Sequence, residues 1–313
     1  MQWLHNTVVT EILTKASLDA IPKEWIEHLR ILKNDEFNDL IARREMKSVW
    51  PDSLKTYVKK CQNINRLPPI QILPSKIELP QKFKIGLSQK KQHEIIHLAF
   101  LVHTQCKVHD IQTIIDLGAG LTLLQEKQYF HNFPTSNCLR ETIAMHNFDI
   151  GQFLRIPFLR LACQESTDKW HGMSKEKHDE HSFHVLARAV LELYSQQNNL
   201  VLKKKVRKGT RKSQCSNFQT YIKDSLLRYD LVPNTNVKLT EKEITQLWEE
   251  QSKRLEIVEI YSGLQMMLQL PAESLILQDR LSWLHEQDLQ AVIIPVMNKC
   301  ISPRSYAIVS YKN

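Results

Sequence analysis

Apolar and polar positions keep a helical period over most of this chain. Ile21-Pro22-Lys23-Glu24-Trp25 opens a helix with proline near its first turn, and Trp25, Leu29 and Leu32 carry the spacing onward. Trp50-Pro51-Asp52-Ser53-Leu54 breaks that pattern and restarts it, with Leu54, Tyr57 and Val58 on one face and Cys61 beside them. Residues 66–85 are proline-rich and read as an extended connector. Ser88 to Cys106 predicts an amphipathic helix, with Ile95, Leu98, Ala99 and Val102 at the 3.6 period and Ser88 as N-cap.

A short β-branched run predicts a strand over 112–116, and residues 121–150 read as helix and loop. Phe183–Gln197 is helical, followed by helices around 217–228, 240–270 and 275–286. Two β-rich runs, Ala291–Met297 and Tyr306–Tyr311, then predict an antiparallel pair. The organisation that follows is a helical N-terminal region over 1–65, a connector over 66–85 and one domain over 86–313. Helix is expected to dominate and strand to stay scarce.

Composition changes this picture little. The chain has 313 residues, 42% of them hydrophobic and 24% charged, which is enough material for one large or two ordinary cores. The first residues show no basic stretch followed by an apolar one, and no run is long enough to span a membrane. Six scattered cysteines without a CxxC pair read as reduced thiols, so a cytoplasmic or nuclear setting is expected.

The candidate chemistry starts at Thr113-Ile-Ile-Asp116. A strand ending in Asp-x-Gly-x-Gly, with Asp116, Gly118 and Gly120, is a common opening of nucleotide-type cofactor sites. Glycines let the backbone turn tightly and approach a ligand, and this chain has only seven of them.

Eight segments together resemble the methyltransferase-like protein 25 family, a relative of ribosomal RNA adenine dimethylase domain-containing protein 1. They are Trp50-Pro-Asp-Ser-Leu54, Gly86-Leu-Ser-Gln-Lys-Lys-Gln-His-Glu-Ile95, Ile115-Asp-Leu-Gly-Ala-Gly120 and Leu161-Ala-Cys-Gln-Glu165. Ala187-Arg-Ala-Val-Leu-Glu192, Phe218-Gln-Thr-Tyr-Ile222, Leu277-Gln-Asp-Arg-Leu281 and Ile301-Ser-Pro-Arg304 complete the series in the family's order. The resemblance implies an α/β fold, a Rossmann-like domain that uses S-adenosyl-L-methionine. It also implies that Asp116, Gly118 and Gly120, with Lys90, Lys91 and His93 before them, line the cofactor side.

The interval after Gly120 departs from the family. Only about 30 residues separate it from Asp149-Ile-Gly-Gln-Phe153, whereas a single βαβ unit takes roughly 30 or more. Three further strands with their helices do not fit. Leu121 and Thr122 also stand where the family continues with a basic residue and another glycine. The expected molecule is a shortened, helix-dominated methyltransferase-like domain. Its alternative is a non-catalytic interaction protein. An uncovered strand 1 and helix 88–106 would favour a protein partner or self-association.

Two other clusters carry weaker signals. Lys203, Lys204, Lys205, Arg207, Lys208, Arg211 and Lys212 form an acid-free basic run suited to RNA phosphates, to nuclear import, or to plain solvation. His178, His181 and His184 match no zinc spacing, and they read as the wet, acidic start of a helix rather than a metal site.

Overall fold

The computed structural model describes residues 4, 8–69, 78–114, 133–146, 156–164, 166–205, 217–233 and 237–312. In chain order its helices begin with α1 Lys23–Arg30, α2 Asn34–Arg43, α3 Asp52–Asn63, α4 Gln81–Lys84 and α5 Gln89–Val108. Next come α6 Asn137–Met145, α7 Ile156–Gln164 and α8 Lys175–Gln197. Strand β1 Val201–Lys204, helix α9 Phe218–Arg228 and strand β2 Tyr229–Val232 follow. The chain closes with α10 Val237–Gln251, α11 Leu255–Met266, α12 Gln269–Glu286, β3 Gln290–Pro295 and β4 Tyr306–Tyr311.

Helix dominates, as the periodicity predicts, and the strands are few and short. They form two separate two-stranded antiparallel sheets, β1 with β2 and β3 with β4. Among the described residues there is no parallel pairing and no Rossmann sheet. That corrects the expected α/β domain. The predicted strand over 112–116 is not formed at Gln112–Ile114, and Asp116 lies outside the described residues.

The chain divides into two compact units, each built from two stretches of the sequence. One comprises Met1–Thr56 and Gly172–Gln265, the other Tyr57–His171 and Met266–Asn313.

The first unit is helical apart from β1 and β2. Trp25 and Leu29 of α1 are buried, as are Phe37, Leu40 and Ile41 of α2. The Trp25 indole N–H donates to Ser53 Oγ at 2.8 Å, which removes the cost of a buried polar group. Phe218 of α9 stacks on Trp248 of α10 with centroids 4.4 Å apart, and Phe183 of α8 meets the same indole edge-on at 5.2 Å. Gly263 of α11 faces Phe37 and Ile41 so closely that the helix has no room for a side chain there.

The second unit packs β3 and β4 with α12 and α7. The hairpin pairs Gln290 with Tyr311 through to Pro295 with Tyr306, matching the expected terminal pair. Leu54 of the first unit is buried, and so are Tyr57, Val58 and Cys61 of the second, so the face predicted for α3 is real. Helix α5 behaves differently. Ser88 caps it as expected, accepting from the Lys91 N–H at 3.2 Å, but none of its residues is fully buried. Leu98 is 47% exposed and Val108 69%. Its central residues, Ile95 to Val102, are apolar nearly all round, a composition normally reserved for a core.

Candidate functional site

Of the residues proposed from sequence, the structure describes Lys90, Lys91, His93, Lys203, Lys204 and Lys205. Asp116, Gly118 and Gly120 lie outside the described residues, as do Arg207, Lys208, Arg211 and Lys212. Lys203 and Lys204 stand on β1 opposite Asp230 and Tyr229 of β2. Lys205 is ion-paired with Asp230 at 2.8 Å, so its charge is partly spent within the protein. The Arg188 guanidinium covers the Tyr229 ring of β2 at 4.8 Å.

Lys90, Lys91 and His93 occupy the first turns of α5. Both lysine ammonium groups sit 3.7 Å from the Glu94 carboxylate. Glu94 accepts from the Ser302 hydroxyl at 3.0 Å, and His93 Nε2 accepts from the Asn298 N–H at the same distance. This end of α5 therefore holds the connection between β3 and β4.

Beyond that connection the second unit has a cleft of about 720 Å³. Small-molecule sites commonly measure about 300–1,000 Å³ and are mostly apolar with a few polar groups. Leu159, Ala162 and Cys163 of α7 form one wall, and Ile276, Leu277 and Leu284 of α12 another. Arg304, Tyr306 and Ile308 come from the hairpin, with Phe133 and Thr135 at the start of α6. Arg280, Trp283 and Arg304 are exposed, so the apolar interior has a cationic and aromatic rim.

Carboxylates on α12 fix one wall. Asp279 is 3% exposed and accepts from the Thr135 N–H at 2.7 Å, the Ser136 N–H at 2.9 Å and the Ser136 hydroxyl at 2.6 Å. Two turns later Glu286 accepts from the Asn137 and Cys138 N–H groups, both at 2.9 Å. Together they satisfy the N-terminal donors of α6 and favour its dipole.

The polar groups inside the cleft are locked rather than poised for proton transfer. Burial raises the Glu273 carboxyl, against the opposing pull of Lys299 at 3.5 Å and of Gln269. Tyr306 donates to the Pro68 carbonyl at 3.0 Å, and burial with nearby Glu273 and Asp168 pushes its hydroxyl far above the usual phenol range. The Lys299 ammonium lies over the Tyr306 ring at 4.7 Å. Cys163 donates its S–H to the Leu159 carbonyl. This arrangement can enclose a ligand; no pair in it is set up as nucleophile and base.

Sequence reasoning missed the Glu273–Lys299–Tyr306 group because its members are distant in the chain. Asp279 and Glu286 were legible in principle, since a seven-residue spacing puts both on one face of α12. The histidine reading needs correction too. His178 is not on a wet surface but 1% exposed in the first unit. Its Nε2–H donates to Asn38 Oδ1 at 2.8 Å, while Asn38 Nδ2 donates to the Met173 carbonyl. Burial first, then Lys175 and His181, lowers its pKa to about 4, which keeps the ring neutral. Among the described residues no group of three or more metal-type side chains converges, and no helix is long and apolar enough to cross a membrane.

The chain is 33% identical over 102 residues to human "Probable methyltransferase-like protein 25", a match covering 32% of this chain and 16% of the human protein. The mouse protein of the same name is 33% identical over 102 residues, 17% of its length. The matched part thus spans about a sixth of these relatives. No protein-family model matches, and no solved structure does.

Proposed function

We propose that the chain is a methyltransferase-like protein of the S-adenosyl-L-methionine class that partners RNA. One observation carries the reading. Four of the segments that resemble the family, 86–95, 161–165, 277–281 and 301–304, contribute residues either to the cleft or to the contacts that hold its hairpin wall. S-adenosyl-L-methionine would supply the transferred methyl group, and the chain's own part would be binding and orientation.

A second, non-catalytic reading is favoured by the short interval after Gly120 and by the locked polar groups of the cleft. It predicts weak or absent cofactor binding. Isothermal calorimetry with S-adenosyl-L-methionine and its demethylated product should show no micromolar site. A micromolar site that Asp116→Ala abolishes would instead establish the enzyme reading, and Gly118→Val should then abolish it as well, because a branched side chain crowds the turn and the ligand.

RNA binding, if carried by the basic run, should be electrostatic and indifferent to sequence. The log–log salt slope should be about 0.7 per neutralised phosphate for single strands. Lys205 should contribute less than its neighbours, because Asp230 already compensates it. Replacing Lys203, Lys204, Lys205, Arg207 and Lys208 with Ser should flatten the slope and weaken all RNAs alike. An unchanged slope would leave the run as a solvated or import segment.

A further inference from the structure

We propose that His93 is an acid-released latch, whose imidazole holds the β3–β4 connection against α5 and so sets the hairpin wall of the cleft. The geometry fixes the protonation state. A ring nitrogen can accept a hydrogen bond only when it carries no proton, and Nε2 accepts from the Asn298 N–H at 3.0 Å. The ring proton is therefore on Nδ1. Adding a second proton would turn Nε2 into a donor facing a donor, and the contact would be lost.

What the latch holds is a tight turn. The Asn298 carbonyl accepts from the Ile301 N–H at 3.0 Å and the Ser302 N–H at 2.9 Å. Ser302 is fully buried, and its hydroxyl donates to Glu94 one residue beyond His93. Ser305, also fully buried, ties back to the Ser302 carbonyl at 2.6 Å. Arg304 and Tyr306, on either side of it, are cleft residues. The connection meets α5 through His93 and Glu94, and losing the first takes away the hydrogen bond that holds the Asn298 turn, while the Ser302 hydroxyl bond to Glu94 stays.

The surrounding charges set the direction. His97, one turn along α5, has its ring centroid 4.1 Å from that of His93. Two imidazolium rings at that distance repel. Glu94 favours the charged ring, but Lys90 and Lys91 both neutralise it. On the connection, Lys299 turns away to Glu273 and Tyr306. Burial and then His97 lower the His93 pKa from 6.5, with Glu94 opposing. The latch is closed at neutral pH, and it opens as pH falls below about 6.5 toward that lowered value.

Significance for the cleft rests on reading that cleft as the functional site, but the latch is tested without any ligand. Nitrogen NMR of the full chain should show His93 Nε2 unprotonated at pH 7.5, with a midpoint below 6.5 shared by the Asn298 amide. Protection of that amide from hydrogen exchange, corrected for intrinsic rate, should drop about tenfold on going to pH 5. His93→Gln offers a non-titrating acceptor and should hold protection constant across the same range. His97→Gln should move the midpoint upward by removing the neighbouring charge. An Asn298 amide equally protected at both pH values, or one released by acid in His93→Gln as in the parent, overturns the latch. If His93→Gln is unprotected throughout, the parent's two midpoints decide, and a mismatch between them overturns it. Failure of cofactor or RNA binding would leave these readouts untouched.

Discussion

Acidification from pH 7 to pH 4.5 should cost the first unit about 2 kcal/mol through His178. The ring has a pKa of about 4 when folded and 6.5 when unfolded. The folded state therefore binds fewer protons between those values. Its stability contribution is complete above pH 6.5 and is lost as pH falls toward 4. The cause is mainly desolvation, because the ring is 1% exposed. Glu259 lies 3.8 Å from Nδ1, but it is already engaged by Lys175 at 2.6 Å and does not offset burial. Urea unfolding of the parent and of His178→Gln at both pH values provides the measurement. Gln can donate to Asn38 and does not titrate, so the variant should lose less stability than the parent by roughly that amount. Equal losses in the two proteins would remove His178 as the cause.

The second large effect is expected at Gly263. A Cβ built there would stand 2.7 Å from Phe37 Cζ and 2.9 Å from Ile41 Cδ1, inside contact distance for carbon. Phe37 is 5% exposed and Ile41 fully buried, so neither side chain can swing out into water. Alanine is favoured over glycine in a helix by about 1 kcal/mol, whereas overpacking a core costs about 1–3 kcal/mol. Gly263→Ala should therefore be neutral to moderately destabilising, and Gly263→Leu should cost at least about 3 kcal/mol or separate α11 from α2. Thermal and urea melts of both variants give the answer. A Gly263→Leu protein as stable as its parent would mean that the close approach of α2 and α11 is not rigid. The companion change Phe37→Ala in the Leu background should recover part of the loss, because the added volume then has space.

Particular residues show how far the sequence was legible. Leu54, Tyr57, Val58 and Cys61 at helical spacing gave the buried face of α3, and the β-rich runs near the end gave the hairpin and its antiparallel sense. Strand β1 escaped notice because Val201-Leu-Lys-Lys204 is half basic and has no meaning until β2 pairs with it. His178 stands in a charged run, Lys175 to Glu180, that reads as a wet surface, and its helical face shows only further along α8. Ser182, Val185 and Leu186 sit one and two turns on and are buried with it. Of the candidate site, His93 accepts from the Asn298 N–H, a contact that no local pattern in the chain points to. The glycine motif and the distal half of the basic run lie outside the described residues.

Periodicity, caps and prolines determined where helices begin and which faces are apolar, because those signals act over a turn or two of the chain. The resemblance to a methyltransferase-like family implied a Rossmann-like domain, and the described strands form two separate two-stranded antiparallel sheets. The packing of α7 on α12, which builds the cleft, arises from contacts across a hundred residues or more. So do the charge states. Burial by distant segments keeps His178 neutral, raises Glu273, and commits His93 Nε2 to a backbone amide 205 residues away. Desolvation and hydrogen bonding depend on what surrounds a group in space, and only the folded chain supplies that.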